Sequence, residues 1–254
     1  MRLLLSKLIA FMTASIFSGI LTAEPLHMVT VEIPPVGYIE NGQTVGAFYD
    51  ISDELGKRIG MEYTRKIKPY SRVIHELKNG TSDLSFIVLN TSLDGYVVHL
   101  APIIKTQVIV LRGSADTLNT LSDLNGKRIG ILRKGTYIKN VFDGSKITTF
   151  SVKNYQQGIK LLKAGRLDAL AGLDIGIYFA IKQLNYKKND FSTPFIIRTL
   201  PVTMQITKKM ATPELINKLN VSVTSMQKDG TIARILKKYV GDYYTYLIPS
   251  TDNN

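Results

Sequence analysis

No cysteine occurs in the 254-residue chain, so it forms no disulfide and offers no thiol for a lipid anchor. Histidine is almost as scarce. His27, His75 and His99 lie far apart and have no metal-like spacing with acids, so no metal site is expected. The Gly-x-Ser-x-Gly elbow, the Gly-x4-Gly-Lys-Ser/Thr phosphate loop and the dinucleotide glycine fingerprint are all missing. No cofactor is expected either. Low-complexity tracts and Pro/Ser-rich linkers are absent, as in an ordinary globular domain.

Long apolar runs are also lacking, with one exception at the start. Arg2 and Lys7 precede a run from Leu8 to Leu21, and Leu21-Thr22-Ala23 offers a small residue ahead of Glu24-Pro25. This is the layout of a secretory signal peptide, and the run is shorter than the ~20 apolar residues a membrane span needs. Residues 1–23 are therefore expected to be removed, and the rest to be a soluble periplasmic monomer with no lipid anchor. The net charge of +12 raises the question of an anionic partner. The basic pairs are scattered, however, at Lys57-Arg58, Arg65-Lys66, Lys127-Arg128, Lys187-Lys188, Lys208-Lys209 and Lys237-Lys238. They read as solvated helix faces and ends, not as a stripe interleaved with aromatics, so no nucleic-acid partner is expected.

What is present is a repeat. Leu77-Lys78-Asn79-Gly80-Thr81-Ser82-Asp83 returns as Leu162-Lys163-Ala164-Gly165-Arg166-Leu167-Asp168. Each copy reads as the end of an amphipathic helix, a glycine stop, and an Asp opening a buried strand. The surrounding pattern is β-α-β-α-β in both cases. Strands are expected at 27–33, 61–67 and 84–89, and helices at 50–59 and after Ser71, which can cap the second. The second copy has strands at 128–132, 147–152 and 169–171, with helices at 136–142, 155–164 and 174–184. Further strands at 108–111 and 202–207 read as connections between the copies. Thr212-Pro213-Glu214 opens a helix by its hydroxyl cap, early Pro and acid, and a last helix follows Gly230. The expected class is α/β with parallel strands and right-handed crossovers, in two lobes with two hinge crossovers. The first lobe takes residues 24–110 plus 205–254, and residues 111–204 form a second lobe inserted in it. A cleft between lobes points to capture of a small molecule.

Open α/β sheets bind ligands outside the carboxyl ends of their strands. The polar and aromatic residues expected there are Tyr38, Tyr70, Arg72, Asn90 and Thr91 in the first lobe, and Arg133, Gly135, Thr136, Tyr137 and Asp174 in the second. Tyrosines at a cleft mouth can sandwich a ligand or simply fill the core. Gly135-Thr136 opens a helix, which makes an anion seat or a plain N-cap. Asp174, directly after a buried strand, is expected both to cap its helix and to hold an amine. Asp83 and Asp168, being repeated, are expected to serve strand entry and not the ligand.

The ordered series of motifs resembles the bacterial solute-binding proteins of family 3, periplasmic amino-acid-binding components of ABC importers. It includes Pro34-Pro35-Val36-Gly37-Tyr38, Val45 to Ile51, Leu77 to Leu84, Leu121 to Gly130, Gly135-Thr136, Ala164 to Ala169 and Lys228-Asp229-Gly230-Thr231. The resemblance implies a type II periplasmic-binding fold that closes on its ligand like a Venus flytrap, then delivers it to an inner-membrane permease. By analogy, Tyr38 and Tyr70 embrace the ligand, Thr136 and its neighbouring N–H groups hold a carboxylate, and Asp174 holds an α-amino group. One departure stands out. The family usually places an Arg shortly after the strand ending near Leu89 to clamp that carboxylate, and no Arg occurs between Arg72 and Arg112. Arg72 or Arg133 could replace it, or the ligand could lack the group. Two other readings of the scaffold are an enzyme such as a cyclohexadienyl dehydratase, with Asp174 or Asp94 as its acid, and a stand-alone ligand sensor; a binding protein without catalysis is the expectation.

Overall fold

The computed structural model describes residues 24–113, 118–133 and 147–247. Strand β1 (Leu26–Val31) is followed by a small hairpin of β2 (Tyr38–Glu40) and β3 (Gln43–Val45), turned by Asn41-Gly42. Helix α1 (Ala47–Ile59) buries Ile51, Leu55 and Ile59, whose spacing of four makes one face apolar. Strand β4 (Tyr63–Lys68), helix α2 (Tyr70–Asn79) and strand β5 (Leu84–Val88) complete the first unit. Helix α2 begins one residue before Ser71, which does not cap it. Pro69 holds the N-cap position, with no side-chain cap bond, because its fixed φ and missing N–H suit a helix start.

The second unit repeats this plan with β7 (Arg128–Leu132), β8 (Thr148–Val152), α3 (Tyr155–Lys163), β9 (Ala169–Leu173) and α4 (Asp174–Gln183). The helix expected at 136–142 lies outside the described residues. Between and after the units run β6 (Val97–Leu111) and β10 (Phe195–Thr207), then α5 (Pro213–Lys228) and α6 (Thr231–Val240). Thr212 caps α5 as the sequence suggests, its hydroxyl accepting from the Leu215 N–H at 3.2 Å. A 3-10 turn from Gly241 to Tyr246 follows α6.

One eight-stranded sheet has the order β4-β1-β5-β10-β6-β9-β7-β8. Strand β1 is parallel to β4 and β5, and β7 is parallel to β8 and β9. The fold is the two-lobed type II arrangement, each parallel set flanking the central pair β10–β6. That pair is antiparallel and runs from Phe195↔Val110 to Thr207↔Val97. Both strands are longer than the expected 108–111 and 202–207. Pro102 sits where the ladder shifts register, between Val202/Thr203 and Thr203/Gln205; irregularities of this kind let a Pro lie within a strand.

The repeated aspartates do the same work in both units. Asp83 Oδ2 accepts from the His27 N–H at 2.9 Å, and Asp168 Oδ2 accepts from the Arg128 N–H at 2.7 Å. In return the Asp83 N–H donates to His27 O and the Asp168 N–H to Arg128 O. Each Asp thus ties a strand to the start of the unit's first strand. Gly80 and Gly165, at φ 72° and 66°, make the left-handed turns that deliver each chain to this point.

Candidate functional site

Registers along β6 place the site. Val88, at the end of β5, pairs with Val202, which pairs in turn with Ile104 of β6. Leu173, at the end of β9, pairs with Val108 of the same strand. Because β5 runs with β6 and β9 runs against it, the carboxyl ends of the two parallel sets point at each other. Along β6 they are separated by Lys105–Gln107, about 13 Å at ~3.3 Å per residue. Ligands bind at such edges in open α/β sheets.

Asp174 stands on one edge. It is fully buried, although it is the first residue of α4. Its Oδ1 accepts from Thr106 Oγ1 at 2.6 Å and from the Ile175 N–H at 2.7 Å. Its Oδ2 is equally buried and has no hydrogen-bond partner. Burial pushes the carboxyl up to about 6, opposed by the Thr106 hydroxyl and by the N–H groups of Gln107 and Ile175. Asp174 was expected to be the N-cap; that position is held by Leu173, and Asp174 serves the helix start from one residue further in. Arg133, exposed, directly follows β7 on the same edge.

On the opposing edge, Tyr70 and Asn90 come together. Asn90 Nδ2 donates to the Tyr70 hydroxyl at 2.8 Å, while its Oδ1 accepts from the Ser92 N–H at 2.9 Å and so caps the short turn Thr91–Leu93. Thr91 is exposed, and Tyr70 is 51% exposed. Arg72 is also exposed, with Nε 3.3 Å from Glu76 Oε1. Segment 89–96 carries no Lys or Arg, and its one charged residue is Asp94. Tyr38 stands apart from this group: it lies on the hairpin and meets Phe179 of α4 edge-on, the ring centroids 5.6 Å apart. Its hydroxyl is pushed up to about 12 by burial, with Glu40 adding to the effect. Gly135, Thr136 and Tyr137 fall outside the described residues.

Sequence reasoning missed several residues here. Ile33 and Leu89, two residues beyond β1 and one beyond β5, are 38% and 47% exposed; both fell inside the strands expected at 27–33 and 84–89. Thr106 left no signal, since its role appears only when two distant segments meet. Asp94, named above as a possible acid, has His99 Nε2 at 3.0 Å from its Oδ1. Among the described residues no cluster of acids and histidines could hold a metal ion, and no helix is long and apolar enough to cross a membrane.

Residues 26–242 match the bacterial extracellular solute-binding proteins, family 3. ABC transporter arginine-binding protein 1 of Escherichia coli (strain K12) is 27% identical over 235 residues, covering 89% of this chain and 95% of the relative. The probable amino-acid-binding protein YxeM of Bacillus subtilis (strain 168) is 24% identical over 218 residues, covering 83% and 81%. Among solved structures, an ancestral cationic amino acid solute-binding protein superposes with a TM-score of 0.70 at 21% identity, covering 85% of this chain and 95% of the other.

Proposed function

Because the chain belongs to the bacterial extracellular solute-binding proteins, family 3, we propose that it captures an amino acid or related amine in the periplasm, after loss of residues 1–23, and passes it as a monomer to an ABC permease. Two lobes, expected as 24–110 with 205–254 and as 111–204, would bend at Lys105–Gln107 and the facing Thr199–Pro201, so that residues 108–110, paired with β9, go with the second lobe and 202–204, beside β5, with the first. The observation that carries this reading is the unpartnered, fully buried Oδ2 of Asp174 on one of two facing strand edges. A buried carboxylate oxygen without a donor is costly. An ammonium group supplies up to three donors together with the opposite charge. Tyr70 and Asn90 offer a neutral surface for the body of the solute, and Arg72, Arg133 and the Gly135-Thr136-Tyr137 segment are the positions from which a solute carboxylate would be met. The relatives named above are binding proteins, which supports capture without catalysis. Closure follows from contacts that only the shut form makes.

The test is a thermal-shift screen of residues 24–254 against amino acids, amines and organic acids. A solute at a hundred times its Kd stabilises the folded form by about 2.7 kcal/mol. Asp174→Ala should weaken binding of the responding compound more than tenfold, roughly 1.4 kcal/mol. A screen in which no amine-bearing compound shifts the melting point, or an Asp174→Ala protein with parental affinity, sinks the reading.

A further inference from the structure

The corner that carries Asp174 has the sequence Gly172-Leu173-Asp174-Ile175-Gly176, with a glycine two residues to either side. Both glycines are spoken for by one ring. A Cβ on Gly172 would lie 2.4 Å from Cε1 and from the hydroxyl of Tyr155, and one on Gly176 would lie 2.4 Å from Cε2 of the same ring. Neither glycine has a positive φ, so close approach and not backbone freedom requires them. The Tyr155 hydroxyl accepts from the Leu173 N–H at 2.9 Å, where the β9 ladder ends and the helix has not begun. Tyr155 is itself 6% exposed and opens α3. Its ring is therefore wedged against the backbone on both sides of Asp174, and its hydroxyl pins the residue directly before it.

We propose that Tyr155 is a positioning residue for the solute site, seating the strand-to-helix corner so that the Asp174 carboxylate meets Thr106 with one oxygen and leaves the other free for an amine. The proposal rests on the assignment of Asp174 to the solute. Tyr155 touches the backbone beside Asp174 and is not placed against the solute.

The test needs no solute. In protein labelled with carboxyl-13C aspartate, the Asp174 resonance is identified by its loss in Asp174→Asn, and its pH titration is followed. The facing groups are Thr106 and Gln107 on β6 and the titratable Tyr178 on α4. Tyr155→Phe keeps the ring and removes the acceptor for Leu173, so the corner loosens, water reaches the carboxyl, and its midpoint should fall by about one unit, a tenfold change in proton affinity. Gly176→Ala probes the slot from the other side. Helix propensity alone makes that change stabilising, whereas displacement of the ring should move the Asp174 midpoint. Tyr186→Phe, on another part of the second unit, should leave it in place. If both slot variants fold and titrate like the parent, with only the melting point altered, Tyr155 is plain packing and the proposal is overturned. A thermal-shift screen without a responding amine would remove Asp174 from solute binding yet leave this titration result standing, so the two failures are separable.

Discussion

Thr106 Oγ1 donates to Asp174 Oδ1 at 2.6 Å, joining the stretch of β6 between the two strand edges to the first residue of α4. Thr106 is 2% exposed, so water cannot replace the bond. Thr106→Val keeps the shape and removes the donor. It should cost about 1–3 kcal/mol, the range for stripping a partner from a buried polar group, and raise the Asp174 carboxyl further. Urea unfolding at neutral pH checks the first effect. Unchanged stability would mean that the carboxylate finds another donor.

The raised Asp174 carboxyl makes stability depend on pH with a definite sign. Its folded value of about 6 lies above the ordinary 3.8, so between those values the folded chain holds more protons than the unfolded one. Stability from this group is therefore full below about pH 4 and is lost as pH rises through 6, by about 3 kcal/mol in all. Asp168 and Asp229, held at about 2 by hydrogen bonds and by their Arg partners, have the opposite slope and act below pH 4. Unfolding of the solute-free protein from pH 4 to 7 should show the decline, and Asp174→Asn should flatten it. An amine solute needs the ionised form, so its affinity should fall as pH drops below 6. Affinity that is flat from pH 7 to 5 would contradict this.

Asp83 and Asp168 should behave as structural residues. Asp83 is 4% exposed, and its loss leaves the His27 N–H without its acceptor. Asp83→Ala should cost about 1–3 kcal/mol with no change in solute affinity per folded molecule. Asp168→Ala should cost less, because its ion pair with Arg128 is partly solvated. Melting curves paired with calorimetry separate the two quantities.

Helix stops at Gly80 and Gly165, the capped start at Thr212 and the Asp83/Asp168 ties depend on neighbours in the chain or on a motif repeated within it. Their chemistry was readable for that reason. The length of β6 and β10 was not, because Pro102 and Pro201 interrupt the pattern, and the register shifts on either side of Pro102 appear only once the two strands are paired. The site was half legible. Asp174, Tyr70 and Asn90 follow strand ends, which pattern alone can locate. Tyr155 and Thr106 act through contacts with segments far along the chain, and no local spacing encodes such a meeting. The edge contact of Tyr38 with Phe179 likewise joins segments far apart in the chain and has no local signal.

The C-terminal turn provides the last prediction. Tyr243 stacks on Tyr178 of α4 with centroids 4.3 Å apart and planes 12° apart, and Tyr246 leans on the same ring at 5.9 Å. Leu247 behind them is fully buried, and its carbonyl accepts from the Lys105 N–H at 2.9 Å. Residues 243–247 thus grip both the helix that begins with Asp174 and the strand stretch between the two edges. Leu247→Ala should cost about 2–5 kcal/mol as a buried leucine truncation. Tyr243→Ala gives up a stacked aromatic pair as well as buried area, and should cost more than Tyr246→Ala, since residue Tyr246 is 38% exposed. Urea midpoints for the three variants give the ranking. If Tyr246→Ala proves as costly as Leu247→Ala, the grip depends on the Lys188–Tyr246 contact at 2.5 Å and not on the buried stack, and Lys188→Met should then reproduce the loss.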